Sequence, residues 1–235
     1  MRIKRSLVLA VAVCVVVLGC AACQTVRPTG TPTGKTPVIF VHGWNEDETI
    51  WKTAVTTFEA AGYSSGDITQ VYYDSTQAAS VASATLATEV DYLRSYTGAS
   101  KVDIVSHSYG AMVTKYCIES GGCANKVAHW MSLAGADNGT SIAGLCVATL
   151  NEPACLDMNG NTSTIADLQA AWPQMVSQGV KVEVQWSPSD GVIIPATNSQ
   201  EPAPAVNVQL TGGQTHNQLM ADPNVLAETL RFLAS

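Results

Sequence analysis

The feature that most constrains the fold of this chain is the alternation of short apolar runs with longer segments of helical periodicity. Runs such as PVIFVHGW are short, rich in β-branched and aromatic residues, and typical of strands buried on both faces. Between them lie segments such as TIWKTAVTTFEAAG, in which apolar residues recur every three or four positions before a glycine. This alternation predicts an α/β fold with a compact, mostly parallel central sheet and helices on both faces.

The predicted strands and helices follow one another along the chain. Strands are predicted at PVIFVHGW, ITQVYYD, KVDIVSHS, VAHWMSLAGAD, KVEVQWSPSD and AVNVQLTG. Helices are predicted at TIWKTAVTTFEAAG, QAASVASATLATEVDYLRSYTG, GAMVTKYCIESGG and HNQLMADPNVLAETLRFLAS. Residues 138–174 break the alternation, with a short helix near STIADLQAAW. Because this long segment follows the carboxyl end of a strand, we expect it to form a wall of a ligand site.

The N-terminal 23 residues have the composition of a secretory signal peptide. Basic residues within MRIKRS precede the uncharged run LVLAVAVCVVVLGCAAC, which ends in small residues. A signal anchor that stays in the membrane is the alternative, and this run is about the shortest that could span a bilayer. We expect export with removal of residues 1–23, a flexible proline-containing tether over residues 24–36, and one folded domain over residues 37–235.

Two cysteines at the end of this run resemble the lipid-acceptor site of a bacterial lipoprotein. VLGC ends at Cys20 and CAAC ends at Cys23, but Leu18 is bulky in the first and Cys20 is unusual in the second. Cleavage by an ordinary signal peptidase is an equal alternative. If a lipid is attached, Cys23 is the better acceptor, because acylation of Cys20 would leave an odd thiol. We therefore expect a protein that is secreted or anchored to the outer face of the bacterial cell membrane.

Four cysteines lie beyond the predicted leader, at Cys117, Cys123, Cys146 and Cys155. In an exported domain they should pair, and three connectivities are possible. The pairs Cys117–Cys123 and Cys146–Cys155 are favoured because each closes a short loop, and four free buried thiols are the alternative. Among these four cysteines there is no C-x-x-C spacing and no nearby histidine pair, so we expect no zinc site.

Charge excludes one class of partner. The chain has 12 basic and 19 acidic residues, and without the three basic residues of the predicted leader it has 9 against 19, a formal charge of −10. Such an acidic domain has no basic surface for nucleic acid and would be repelled by anionic membranes. Only 13% of the residues are charged, against about 25% in typical globular proteins. The surface must therefore consist largely of uncharged polar and small residues.

Polar residues follow several predicted strands, at the sheet edge where α/β proteins bind ligands. They are His42, Gly43, Trp44, Asp74, the run Ser106 to Tyr109, Asp137, Asp190 and His216. Among them, the chain order Ser108, Asp190, His216 is that of the nucleophile, acid and base in an α/β-hydrolase triad. A serine hydroxyl needs a neutral imidazole to take its proton and a buried carboxylate to orient that imidazole. These three residues are the catalytic candidates.

The stretch VDIVSHSYGAM places the candidate nucleophile between a predicted strand and a predicted helix. It is similar to the G-x-S-x-G turn, with Ser106 in place of the first glycine, and serine is small enough for the close backbone approach there. The negative oxygen that forms on an attacked carbonyl needs N–H donors. We expect the backbone N–H groups of Tyr109 and Trp44 to supply them. Whether the Ser106 hydroxyl has a local role is open.

The acid and the base each have competitors. Asp190 lies in WSPSDGVIIP, just after a strand, and Asp137 in LAGAD is the less favoured acid. His216 follows a glycine-rich loop, and the alternative is a surface residue at the start of a helix. The remaining histidines are expected to be structural: His42 in the oxyanion loop, His107 directed away from the position of the base, and His129 packed in a strand.

The motifs PVIFVHGW, VDIVSHSYGAM, LAGA, SPSDGVIIP and TGGQTHNQLM resemble the secreted bacterial lipase class 2 family, which includes a minimal, lidless Bacillus lipase. The resemblance covers about residues 36–235. It implies an α/β-hydrolase fold, the triad Ser108, Asp190 and His216, fatty-acid esters as substrates, and no cofactor or metal. The segment with Cys146 and Cys155 departs from the minimal enzyme, which leaves the acyl pocket open.

These observations predict a monomeric, exported carboxylester hydrolase, a lipase or an esterase, that acts on a lipid or small-molecule ester through an acyl-enzyme. An envelope acyltransferase or thioesterase is the alternative within the same fold, and a non-catalytic binding protein would show a broken triad. Three aromatic residues near the site, Trp44, Trp51 and Tyr109, either line an acyl pocket or serve as ordinary packing.

Overall fold

The computed structural model describes residues 24–160 and 162–235. The predicted signal peptide and both lipid-acceptor cysteines lie outside the described residues. The strands are β1 (Val38–Val41), β2 (Ile68–Val71), β3 (Val102–His107), β4 (Val127–Leu133), β5 (Lys181–Trp186) and β6 (Val206–Gln209). The α-helices are α1 (Lys52–Ala60), α2 (Ala79–Thr97), α3 (Tyr109–Glu119), α4 (Ala143–Thr149), α5 (Pro153–Met158), α6 (Ser163–Ser177) and α7 (Pro223–Leu233). Shorter 3₁₀ turns span Glu48–Trp51, Ala196–Ser199 and His216–Ala221.

The six strands form one parallel sheet in the order β2-β1-β3-β4-β5-β6. The chain begins in the interior of the sheet at β1, moves to the edge at β2, and then returns to β3 on the other side of β1. The direction of winding therefore reverses between β1 and β3. Ligands of such sheets bind outside the carboxyl ends of the strands at this reversal, which is where β1 and β3 both end.

Strand β1 illustrates why the sheet is covered on both faces. All four of its residues are fully buried, and they alternate between two hydrophobic clusters. Ile39 belongs to the cluster that contains residues of α2, α3 and α6. Phe40 belongs to the opposite cluster, where it contacts Phe58 of α1, and residues of α7 lie in the same cluster. This confirms the α/β architecture predicted from the apolar runs.

Two helical regions differ from their predicted form. The predicted C-terminal helix is divided into a 3₁₀ turn, His216–Ala221, and helix α7. Pro223 begins α7 because proline fits the first helical position, and the side chain of Asp222 caps that helix by accepting from two backbone N–H groups. The segment predicted to contain one short helix contains three, namely α4, α5 and α6.

Residues 24–36 pack against the domain, which differs from the flexible tether predicted from their composition. Val26 exchanges two backbone hydrogen bonds with Gln70, at 2.9 and 3.1 Å, and so pairs with the exposed edge of β2. Arg27 forms a bidentate pair with Glu89 of α2, at 2.7 and 3.0 Å. Thr33 donates to Asp67. Composition alone did not reveal these partners, because each is distant in sequence.

Both disulfides predicted from loop length are present. Cys117 and Cys123 join the end of α3 to the loop after it, and Cys146 and Cys155 join α4 to α5. The second bridge holds two short helices together beside the carboxyl ends of the strands. Across the described residues, no helix is long and apolar enough to cross a membrane.

Candidate active site

Ser108 lies on a sharp turn between the end of β3 and the start of α3. Its backbone has φ 54° and ψ −126°, a left-handed conformation that residues other than glycine seldom adopt. Two residues later, a Cβ atom added to Gly110 would lie 2.5 Å from the carbonyl oxygen of His42, so α3 passes very close to β1. A strained serine followed by a glycine at a close helix–strand contact is the arrangement expected of a nucleophile elbow.

Ser106, which replaces the first glycine of the elbow motif, has a local structural role. Its hydroxyl oxygen accepts a hydrogen bond from the indole N–H of Trp130 at 2.8 Å. The same hydroxyl lies 3.4 Å from the carbonyl oxygen of Met131 and donates to it. All of these groups are buried, so the serine satisfies an indole N–H that would otherwise lack a partner in the core.

Asp190 and His216 form a buried carboxylate–imidazole pair. His216 Nδ1 lies 2.9 Å from Asp190 Oδ2, while Oδ1 accepts from the backbone N–H groups of Val192 and Ile193 at 2.9 and 2.7 Å. Burial by itself would raise the pKa of Asp190, but the hydrogen bonds from His216 and the two amides hold that pKa below its usual value. An ionised carboxylate only accepts, so Nδ1 carries the proton and Nε2 is the basic nitrogen of His216.

Burial also lowers the pKa of His216 below the ordinary histidine value. The adjacent imidazole of His107 acts in the same direction, while the hydrogen bond to Asp190 opposes the shift. The imidazole is therefore neutral at pH 7, which is the form that a general base requires.

Asp137, the competing acid, contacts no histidine in the described chain. It is fully buried, and its Oδ2 accepts from the Ser132 hydroxyl at 2.8 Å. Burial and the nearby carboxylate of Glu201 raise its pKa well above the usual range. Lys115 forms an ion pair with Glu201 at 2.6 Å and completes this buried group. The acid that contacts His216 is thus Asp190.

The other histidines are held by structural contacts. His42 is buried with its ring stacked on Tyr73 at 4.3 Å, and burial lowers its pKa. His129 Nδ1 lies 2.8 Å from Asp103 Oδ1. His107 differs from its prediction: its ring lies 4.5 Å from that of His216 rather than away from it. Successive side chains of β3 point to opposite faces, so His107 lies on the face opposite Ser106, toward the His216 turn.

The loop after β1 carries Trp44, the second predicted oxyanion residue. The backbone N–H groups on either side of it are engaged, that of Gly43 with Glu46 Oε2 at 2.8 Å and that of Asn45 with Ser75 Oγ at 2.9 Å. The Trp44 indole donates to Glu152 between α4 and α5 at 2.7 Å. Tyr109 is the first residue of α3, where a backbone N–H has no partner within the helix.

Ser108, His216 and Trp44 line one cavity of about 320 Å³. Its other walls come mainly from α4, α5 and the loop after Asp190, through Ile142, Ala143, Cys146, Met158, Val192 and Ile193. A largely apolar pocket with a few polar groups is typical of a small-molecule site. Residues 138–174 therefore contribute a wall of the candidate site, as their position after a strand predicted.

Of the three aromatic residues considered for an acyl pocket, only Trp44 lines this cavity. Trp51 is fully buried and packs on Phe40, with ring centroids 5.0 Å apart. Tyr109 is also fully buried, and its one hydroxyl proton lies within hydrogen-bond distance of two acceptors, the carbonyl oxygen of Gln77 at 2.9 Å and Asp157 Oδ2 at 3.0 Å. Glu46 also lines the cavity. The sequence motifs did not identify it as a site residue. Its position two residues after Trp44, in the predicted oxyanion loop, could have indicated one.

The chain is similar in sequence family and in fold to known lipases. The model of the lipase (class 2) family matches residues 35–226. Lipase B of Aspergillus fumigatus superposes with a TM-score of 0.78 at 18% identity; the match covers 90% of this chain but only 56% of that one. A mature lipase of Bacillus licheniformis gives 0.69 at 17% identity, covering 89% of this chain and 96% of that one. A phospholipase of Legionella pneumophila gives a TM-score of 0.68 at 16% identity, and the match covers 86% of this chain and 60% of that one.

At these identities the solved structures establish the fold, whereas the family match extends over most of the chain. A search of curated protein sequences gave no significant match. The resemblance to the class 2 lipases seen in the sequence motifs is confirmed by the family match. The chain belongs to the class 2 lipase family of ester hydrolases.

Proposed function

We propose that this protein is an exported serine carboxylester hydrolase that cleaves acyl esters of lipids through an acyl-enzyme on Ser108. One observation carries the proposal: Ser108 and His216 line the same apolar cavity, and Nδ1 of His216 is hydrogen-bonded to the carboxylate of Asp190. The left-handed backbone of Ser108 supports it further, because backbone strain at a sharp strand-to-helix turn is typical of an elbow nucleophile.

In the proposed first half-reaction, the Ser108 Oγ attacks the carbonyl carbon of the ester while its proton moves to Nε2 of His216. Asp190 stabilises the imidazolium that forms, since its carboxylate is ionised and faces Nδ1. The carbonyl oxygen becomes negative and is stabilised by the N–H groups of Tyr109 and Trp44. The intermediate then expels the alcohol, which takes the proton from His216, and leaves the acyl group on Ser108.

In the second half-reaction, His216 removes a proton from water, and the resulting nucleophile attacks the acyl-enzyme. The same N–H groups stabilise the second oxyanion, and Ser108 leaves as its hydroxyl after taking the proton from His216. The products are the free acid and the regenerated enzyme. Each donor of this kind is worth about 3–4 kcal/mol of barrier in serine hydrolases.

Exposed apolar side chains on the segments that form the cavity wall favour a lipid substrate. Leu145 and Leu150, in and just after α4, are 68% and 54% exposed, and Leu156 of α5 and Ile194 are also exposed. Val192 is exposed and lines the cavity. Single apolar residues are ordinary on a protein surface, but these five lie on the α4–α5 segment and on the loop after Asp190, the same two segments that form the cavity wall, and this supports an interaction site there. We call these five residues the apolar rim and propose that it contacts aggregated acyl chains.

The proposed setting is outside the cytoplasm, either secreted or anchored by a lipid on the N-terminal segment. The two disulfides support it, because such bonds persist in oxidising compartments. We further propose that the protein acts as a monomer, with the acyl chain of the substrate in the cavity beside α4 and α5.

The proposal is tested with a chain-length series on the full protein and on Ser108→Ala. Hydrolysis of p-nitrophenyl butyrate, tributyrin and triolein is followed by acid release, with the glycerides below and above their solubility. We expect turnover by the natural protein, a rise in rate once the glyceride aggregates, and no turnover by the variant. Wild-type turnover by Ser108→Ala would overturn the nucleophile assignment. Acyl transfer to an added alcohol in preference to water would make the protein a transferase.

A further inference from the structure

A second carboxylate–imidazole pair, Glu46 and His107, lies beside the pair Asp190 and His216. His107 Nδ1 is 3.0 Å from Glu46 Oε2, and the imidazole of His107 is fully buried. His107 Nε2 lies 3.3 Å from the backbone carbonyl oxygen of His216, and the two rings are 4.5 Å apart. The proposed reaction uses neither Glu46 nor His107.

Both hydrogen-bond partners of His107 are acceptors. A carboxylate oxygen and a carbonyl oxygen can only accept, while a neutral imidazole donates from one nitrogen alone. Both bonds form together when both nitrogens carry protons. The geometry therefore fits a His107 imidazolium paired with an ionised Glu46. Burial by itself would raise the pKa of Glu46, but the hydrogen bond and the charge of His107 hold that pKa below its usual value.

Glu46 also holds the loop that carries Trp44. The same oxygen, Oε2, accepts the backbone N–H of Gly43 at 2.8 Å. A Cβ atom added to Gly43 would lie 2.7 Å from that oxygen and 2.8 Å from Cβ of Ser108. The loop, the Glu46 carboxylate and the nucleophile are thus in direct contact, with no room for a side chain between them.

We propose that Glu46 and His107 are positioning residues that lock the Trp44 loop to the backbone of His216. The chain of contacts runs from the Gly43 N–H through Glu46 and His107 to the His216 carbonyl. It joins the segment proposed to stabilise the oxyanion to the segment that bears the base, which are 173 residues apart in sequence. Errors of about 1 Å in such geometry cost on the order of a hundredfold in rate.

The inference rests on the proposed function of Ser108 and deepens it. Its variants are Glu46→Gln, which removes the charge, and His107→Asn, which keeps a donor near the Nδ1 position but not the reach to His216. The matched control is Glu48→Gln, since Glu48 is a buried acid two residues away whose bond is to the backbone of Gln24. Each variant is assayed on p-nitrophenyl butyrate, and its folding is checked by thermal unfolding.

We expect Glu46→Gln and His107→Asn each to lower kcat about 10- to 100-fold with KM within about twofold, because positioning acts on the transition state. Affinity for a boronic acid, which forms a tetrahedral adduct on serine, should fall in parallel with kcat. The double variant should lose no more kcat than the less active of the two single variants, since the pair acts as one unit. Glu48→Gln should keep wild-type kcat.

Wild-type kcat in folded Glu46→Gln, or losses in the double variant that multiply, would overturn the positioning role. If Glu46→Gln does not fold, the result for His107→Asn decides in the same way. If Glu48→Gln loses as much kcat and as much unfolding temperature as Glu46→Gln does, the effect is one of general packing instead. The outcome is separate from that of Ser108→Ala: an inactive Ser108→Ala with an unaffected Glu46→Gln would refute only this inference.

Discussion

The indole N–H of Trp44 donates to the carboxylate of Glu152 at 2.7 Å, which ties the loop after β1 to the disulfide-bonded helices α4 and α5. One wall of the cavity is therefore fastened to the segment proposed to hold the oxyanion. This contact spans 108 residues of sequence. It anchors the α4–α5 wall of the cavity to the loop after β1.

Replacing Glu152 by alanine should alter chain-length preference more than catalysis as such. Without its anchor, the α4–α5 wall no longer holds a long acyl chain, and one charge-assisted hydrogen bond worth about 1.5–3 kcal/mol is lost. We expect kcat/KM for p-nitrophenyl octanoate to fall about 3- to 10-fold and that for the acetate to stay within about twofold. Glu59→Ala, on the exposed face of α1, is the control. Equal losses for both esters would contradict this account.

The choice of acid is tested by comparing Asp190→Asn with Asp137→Asn. Loss of the Asp190 carboxylate allows the wrong tautomer of His216, which costs about 10⁴ in kcat in a serine hydrolase triad. Burial and the nearby Glu201 carboxylate raise the pKa of Asp137, which favours its neutral carboxyl, so an amide of the same shape is a mild replacement there. We expect Asp137→Asn to keep kcat within about tenfold. The reverse order of effects would make Asp137 the acid.

On the acid side, kcat/KM should fall only at a pH below the ordinary pKa of histidine. His216 acts as a base only when neutral, and burial lowers its pKa below the ordinary value of about 6.5. Activity on a soluble ester should therefore be constant above about pH 6.5 and fall as the pH decreases through the lowered pKa. Measurement of kcat/KM over the acid range checks the sign. A midpoint above about 6.5 would show that the imidazolium is stabilised in the free enzyme, contrary to the structure.

The apolar rim should matter for aggregated lipid and not for soluble ester. Changing Leu145 and Leu150 to serine removes two exposed apolar side chains beside the cavity. Loss of their contact with acyl chains, worth about 1–3 kcal/mol each when fully buried, should reduce hydrolysis of emulsified triolein about tenfold or more. Hydrolysis of p-nitrophenyl butyrate should stay within about twofold.

The control for the rim is Val206→Ser, because Val206 is 52% exposed but begins β6, at the edge of the sheet opposite the strands' carboxyl ends. If this variant loses as much activity on the emulsion as the change at Leu145 and Leu150, the effect belongs to surface hydrophobicity in general. The apolar rim would then have no special role.

The parts of the site that the sequence predicted are those fixed by local pattern. Buried parallel strands read as apolar runs, so the strand before Ser108 and the strand before Asp190 could both be recognised. The elbow follows from a strand, a serine and a glycine in close succession, and the chosen disulfides follow from short loops. Each of these signals lies within a few residues of the feature that it predicts.

The parts that the sequence did not predict depend on partners distant in the chain. Glu46 and His107 are 61 residues apart, and nothing near either residue indicates the other. Helices α4 and α5 have seven and six residues, too short for periodicity to show, and a disulfide and tertiary contacts stabilise them. Residues 24–36 have the composition of a linker, yet Val26 pairs with the edge of β2.

The most direct test of the central claim is the site of covalent labelling by a fluorophosphonate. The full protein is incubated with the probe, digested, and the modified residue is located by mass spectrometry, with Ser106→Ala and Ser108→Ala in parallel. We expect one phosphonyl group on Ser108, labelling retained in folded Ser106→Ala, and none in Ser108→Ala. A probe bound to another residue, or labelling of Ser108→Ala at the wild-type rate, would contradict the account.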